Sequence, residues 1–148
     1  MRADFRPLTQ TTIGRVLPLM EKLYAQDSLP FDRDRAHRGC EWLLQNPALG
    51  AIWMIEAEAV AIGYLAVTVC VSLEFHGQFA LLDELYIEAP WRGRGMGGQA
   101  IDFAAGWARS RGFSALRLEI AHENAHGLHV YRKSGFDLHD RHIMTKWL

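Results

Sequence analysis

The chain has 148 residues, of which 49% are apolar and 22% charged, with a formal net charge of -1. That length suits one domain over residues 1–148 with its own core, and the composition is that of an ordinary globular protein. The charge supplies no basic field for nucleic acid, no apolar run reaches the length of a membrane span, and Met1 to Pro7 lacks the apolar centre of a signal peptide; a cytoplasmic protein without nucleic-acid or membrane partners is expected.

In chain order, Ala3 to Pro7 reads as a short strand. Thr11 to Gln26 reads as a helix, with Ile13, Val16, Leu17, Met20, Leu23 and Tyr24 along one stripe and with Pro18 expected to kink or shorten it. Asp32 is placed to cap a second helix, Arg33 to Gln45, which Asn46-Pro47 ends. Ala51 to Glu56 and Val60 to Phe75 read as strands joined by a tight hairpin, and His76-Gly-Gln78 turns into a further strand, Phe79 to Glu88. Met96 to Arg111 is a helix with Gly112 at its C′ position. A strand at Ala115 to Ile120, a short helix at Asn124 to Ser134 and a last strand at His142 to Trp147 complete the chain. An antiparallel meander leading into one βαβ crossover makes an α+β fold with a mixed, mostly antiparallel sheet flanked by helices. Cys40 lies in a helix pattern and Cys70 in an apolar strand, which reads as reduced, largely buried thiols.

Between the meander strand and the long helix lies Arg92-Gly93-Arg94-Gly95-Met96-Gly97-Gly98. Glycines allow tight turns and close backbone approach, a helix start presents unpaired N–H groups, and two arginines add charge. Together these make a socket for a phosphate or pyrophosphate.

Two literal motif matches are set aside. Gly93 to Gly98 satisfies G-x-G-x-x-G, with Glu119 ending the next strand, but a dinucleotide-binding fold repeats βαβ units, whereas here an antiparallel meander precedes the loop. No Lys-Ser/Thr pair follows the glycines, so a P-loop is excluded. His122-Glu-Asn-Ala-His126 satisfies H-E-x-x-H, but Asn124 reads as a helix N-cap, so the histidines would straddle the helix start instead of sharing one helical face. No metal is expected.

A third pattern is carried by more of the chain. Arg92 to Gly97 fits R/Q-x-x-G-x-G/A and follows Leu82-Asp-Glu-Leu-Tyr-Ile87 and Pro90; Asn124 and Tyr131 lie seven apart, ahead of Lys133-Ser-Gly-Phe136. With the element order, and with the closing segment Met144 to Leu148, these resemble the GNAT family of N-acetyltransferases. Residues 3 to 148 are covered, and the spermidine/spermine N-acetyltransferase branch is the most similar.

The resemblance implies acetyl-CoA as donor. Its pyrophosphate would sit on the N–H groups from Gly93 to Gly98, with Arg92 and Arg94 adding charge-assisted contacts. The pantetheine arm would pair with the backbone of Leu85, Tyr86 and Ile87 like an added strand. Asn124 would bond the cofactor, or cap its helix, or both. A primary amine would attack the thioester directly, which calls for a base and an acid. Tyr131 occupies the family's general-acid position. Asp83 and Glu84 are the base candidates; alternation on a strand points them to opposite faces unless a β-bulge intervenes. His129 is a third candidate.

The acceptor is open among a polyamine, an amino acid, an aminoglycoside or a protein amine, with a small molecule favoured. Glu74, Asp83, Glu84 and Glu88 are available to line its cleft, while the positions of Asp27 and Asp32 are open. Phe31, Trp53 and Phe75 could add apolar or cation–π contacts. Homodimers are common in the family. The competing reading is a non-catalytic acetyl-CoA-binding sensor or regulatory subunit.

Overall fold

In the computed structural model, which describes residues 1–148, five strands lie side by side in chain order. They are β1 (Asp4–Pro7), β2 (Gly50–Ala57), β3 (Val60–Ser72), β4 (Gly77–Ile87) and β5 (Leu116–Arg117). The first four pair antiparallel and β5 runs parallel to β4, so the sheet is mixed and mostly antiparallel. The helices are α1 (Ile13–Gln26), α2 (Arg33–Gln45), α3 (Met96–Ser110) and α4 (Ala125–Lys133).

The sheet is buried on both sides. One core sets Ile13, Val16, Leu17 and Met20 of α1 and Cys40 of α2 against Ile52, Met54, Tyr64 and Tyr86. The other sets Met96, Ala100, Ile101, Ala104 and Ala108 of α3 against Trp53, Ile55, Leu65, Val67 and Leu82. The alternation along β2 explains the division: Ile52 and Met54 face one core, Trp53 and Ile55 the other. Small alanines on α3 let the helix approach the sheet closely. Phe103 and Trp107 fill its flank, both edge-on to Trp53.

Local signals explain most boundaries. Asp32 accepts the Arg35 N–H at 3.0 Å and starts α2. Glu58 and Ala59 turn the β2–β3 hairpin with φ of 51° and 63°, the left-handed geometry of a two-residue loop. Gly112 follows α3 with φ 78°.

Three expectations are corrected. Helix α1 runs unbroken through Pro18, because the carbonyl that loses its donor belongs to Gly14, which faces water. Only Leu116 and Arg117 of the Ala115–Ile120 segment join the sheet. The strand expected at His142 to Trp147 does not form: Ile143, Met144 and Trp147 are 66%, 92% and 89% exposed. Alternating apolar residues make a strand only where a sheet edge pairs their backbone and a core receives their side chains. Here the segment's tie is Arg141, which donates to both carboxylate oxygens of Glu74.

Candidate active site

The site is built on a break in strand pairing. Ala66 of β3 faces Glu84 and Val67 faces Leu82, so Asp83 is the extra residue of a β-bulge. Strict alternation would send Asp83 and Glu84 to opposite faces. The bulge cancels that offset, and both line one cleft.

A second irregularity opens this cleft. Strands β4 and β5 pair only at Ala80↔Leu116 and Leu81↔Arg117. Beyond them the two chains diverge, and Leu82 to Leu85 face Leu118 to Ala121 across a cavity of about 730 Å³. The β4 edge there has no strand partner, and of its carbonyls from Leu85 to Ile87 that of Ile87 is taken by Arg92 Nε. The sequence offered no sign of this gap, since the apolar pattern of Ala115 to Ile120 continues past the two paired residues. The far wall is the end of α1 and the turn after it, Leu23, Gln26, Asp27, Ser28 and Leu29.

Five carboxylates line the cleft, from Asp27, Asp83, Glu84, Glu119 and Glu123, with no lysine, arginine or histidine among the lining residues. Asp83 keeps more than a third of its surface open, yet crowding of its carboxyl by the cleft walls raises its pKa above the ordinary carboxylate value. Burial also raises Glu84, opposed by hydrogen bonds from Tyr24 and Tyr64 and reinforced by the nearby charges of Asp83 and Asp27.

Tyr131 enters the cleft from α4. Its ring stands edge-on to Phe136 with centroids 5.8 Å apart. Burial, then the Asp27 carboxylate, raise its pKa, so the phenol keeps its proton throughout the neutral range. Asn124 lies at the start of the same helix, where its Oδ1 accepts the Gly127 N–H at 2.8 Å. The capping role is therefore present, and the residue also lines the cleft.

Past the end of β4 comes the glycine loop. Gly93 and Gly95 have φ of 72° and 81°, conformations that favour glycine, and Gly95 is the residue from which α3 departs. None of the backbone N–H groups from Gly93 to Gly98 donates to another main-chain group. A row of unpaired N–H groups at the positive end of a 15-residue helix is an anion socket.

The two arginines differ. Arg92 Nε donates to the Ile87 carbonyl at 2.7 Å and its Nη2 to Gln26 at 2.8 Å, so its guanidinium ties the loop to β4 and α1. Arg94 lies over the Trp91 ring at 5.4 Å and is exposed beside the socket.

Of the other expected residues, Leu85 lines the cleft, while Tyr86 and Ile87 send their side chains into opposite cores and Met96 is buried under the loop. Glu74 is taken up by Arg141, and Glu88 by Lys22 and Tyr86. Phe75 packs at a tilt against Phe79 at the hairpin end and Trp53 is core. Phe31 packs on Tyr24 behind the cleft wall. His129 is exposed and outside the cleft, and Asp32 serves as a cap. His122 and His126 flank the start of α4, the second being the second residue of the helix. Tyr24, Tyr64, Glu119 and Glu123 were missed. Tyr24 reads as part of the α1 stripe and Tyr64 lies unmarked within the β3 strand pattern, and only folding brings either to Glu84.

The sequence profile described as the acetyltransferase (GNAT) family matches residues 17–136 of the chain. The streptothricin acetyltransferase of Streptomyces lavendulae is 36% identical over 74 residues, covering 50% of this chain and 39% of that protein. An uncharacterized N-acetyltransferase of Methanocaldococcus jannaschii is 26% identical over 110 residues, covering 73% of this chain and 47% of that protein. The chain thus spans less than half the length of these curated relatives. Among solved structures, an integron cassette protein from a salt-marsh metagenome superposes with a TM-score of 0.86 at 26% identity, covering 97% of this chain and 90% of that one. An aminoglycoside N-acetyltransferase in complex with CoA has the same fold, with a TM-score of 0.84 at 21% identity over 99% of this chain and 95% of that one.

Proposed function

Because the chain belongs to the acetyltransferase (GNAT) family, we propose that it moves the acetyl group of acetyl-CoA to a primary amine of a small, polycationic molecule. The observation that carries this reading is the cleft between β4 and β5, with five carboxylates and no basic side chain on its walls. Such a field attracts a molecule with several positive charges and repels anions. The partial match to a streptothricin acetyltransferase supports a small-molecule acceptor. A polyamine, an aminoglycoside or a basic amino acid has the required charge. Within the family, the Asp83-Glu84 pair and the Asn124–Tyr131 spacing favour the spermidine/spermine branch. We take the protein to act in the cytoplasm as a homodimer.

The donor's pyrophosphate would occupy the N–H groups from Gly93 to Gly98, with Arg94 free to approach it. Its pantetheine arm would run along the unpaired edge of β4 at Leu85, Tyr86 and Ile87, and Asn124 would bond it near the start of α4. In that pose the thioester would lie between the acidic bulge and Tyr131. The amine enters as an ammonium, because its pKa is about 10. It loses a proton to a carboxylate of the bulge, Asp83 or Glu84, and attacks the thioester carbon. As the C–N bond forms the C–S bond breaks, Tyr131 gives its proton to the departing thiolate, and the second proton shed by the new amide nitrogen restores the phenol, while the carboxylate releases its proton to water. Its raised pKa keeps that proton in place until the sulfur takes it.

An acceptor panel tests this, with free CoA thiol as the readout. Polycationic amines should release thiol faster than monoamines of the same length, and the preference should weaken as salt screens the cleft. Tight acetyl-CoA binding with no thiol release from any amine would instead leave a non-catalytic acetyl-CoA-binding sensor.

A further inference from the structure

Glu84 is fixed at both carboxylate oxygens. Tyr24 Oη donates to Oε1 at 2.8 Å, and Tyr64 Oη donates to Oε2 at 2.9 Å. The two phenols come from different elements, α1 and β3, and Tyr64 is fully buried. One residue earlier, Asp83 has no such hydrogen-bond partner, and burial raises its pKa. The bulge presents both acids to one cleft, yet one is clamped and the other is free.

We propose that Tyr24 and Tyr64 are positioning residues that divide the work of the two acids: they hold Glu84 as a fixed anion that seats the acceptor's positive charge, and they leave Asp83 as the base that takes the proton of the attacking amine. This rests on the acetyl-transfer reading above.

A carboxylate has about four acceptor sites, and the phenols occupy one on each oxygen of Glu84. Both phenols donate more strongly to a charged carboxylate than to a neutral carboxyl, so the clamp opposes proton uptake. It does not oppose an ammonium, which approaches the remaining lone pairs from the cleft. The groups facing Glu84 are Tyr24 on α1, Cys40 on α2, Tyr64 on β3, Asp83 on β4 and Asp27 after α1. None is a cation. The positive charge that would complete the site must come from the ligand. Asp83, unclamped and open to solvent, can accept a proton and release it to water.

The test compares Tyr24→Phe, Tyr64→Phe, Glu84→Gln and Asp83→Asn over pH 5–9, with an active amine from the panel. Each phenylalanine variant should raise the acceptor KM about fivefold or more, as expected for losing one bond to a charged group, with kcat within about threefold. The acid limb of kcat/KM should move to higher pH, because Glu84 loses a bond that favours its charged form. A merely structural tyrosine would lower the melting temperature without moving that limb. Asp83→Asn should lower kcat about a hundredfold, and Glu84→Gln should act mainly on KM. An unmoved acid limb in both phenylalanine variants overturns the proposal, as does a hundredfold kcat loss in Glu84→Gln with KM unchanged.

A readout without turnover separates the two readings. The side-chain carboxyl 13C signal of Glu84 should titrate at higher pH in Tyr24→Phe than in the parent, and calorimetry should show 1,4-diaminobutane binding weakened by Glu84→Gln. If no amine releases thiol, acetyl transfer fails as the function while these measurements still decide the clamp. An unmoved Glu84 titration overturns it.

Discussion

Tyr131→Phe removes one oxygen from the cleft and little else. The ring keeps its edge-on contact with Phe136, 5.8 Å between centroids, because phenylalanine retains it. No side chain or main-chain group of the protein is bonded to the Tyr131 hydroxyl, whose raised pKa comes from burial and the Asp27 carboxylate alone. Folding therefore loses no hydrogen bond, and stability should change by less than about 0.5 kcal/mol. For a chain of this size that is a shift of about 2 °C at most in the melting temperature. Catalysis loses its proton donor, which is worth about a hundredfold or more in rate, or about 2.7 kcal/mol of barrier at a hundredfold. Steady-state kinetics with free-thiol detection should show kcat falling by that factor, while the KM for acetyl-CoA stays within about threefold. The remaining activity should not regain the loss at any pH from 6 to 9, because the parent phenol is protonated throughout. A kcat within about threefold of the parent would refute Tyr131 as the acid. A large fall in melting temperature would show instead that the hydroxyl has a structural partner.

Other outcomes are set by single contacts. Gly95→Ala forces φ 81° on an L-residue at the start of α3, and should cost about 1 kcal/mol or more in thermal unfolding while weakening acetyl-CoA binding by calorimetry. Gly63→Ala places a Cβ 2.1 Å from the Tyr86 carbonyl oxygen, so β3 and β4 must separate; urea denaturation should show a loss of about 2–3 kcal/mol. Asp83→Asn should stabilise the protein without ligand at pH 7. Burial raises the folded pKa of Asp83, so the folded state holds its proton to higher pH than the unfolded chain does, and stability falls as pH rises from the ordinary carboxylate value through the raised one. Discounted for the solvent at the cleft mouth, the gain is about 0.5 kcal/mol, or about 1–2 °C at pH 7, and it should vanish by about pH 4; an equal gain at both pH values would sink this account.

Much of the architecture is determined by the sequence acting locally. The 3.6-residue stripes of α1 and α3, the alternation of β2 and β3, the Asp32 cap and the glycines at 93, 95 and 112 each act within a few residues, and each stands where local physics puts it. The anion socket belongs to this class, because a helix start and left-handed glycines are properties of one short segment. The cleft does not. Whether Asp83 bulges depends on the register that β3 adopts against β4, and whether a gap opens depends on where β5 leaves the sheet. Tyr24 and Tyr64 meet Glu84 across 60 and 20 residues of sequence. Arg92, read locally as a phosphate ligand, has its guanidinium drawn to Ile87 and Gln26. The closing segment carries a strand pattern and makes no strand, since pattern specifies which side chains would be buried but not whether an edge is there to pair with. Hydrogen-bond partners and strand registers are set by the whole packed chain, so only the tertiary structure decided how the acids beside the socket are arranged.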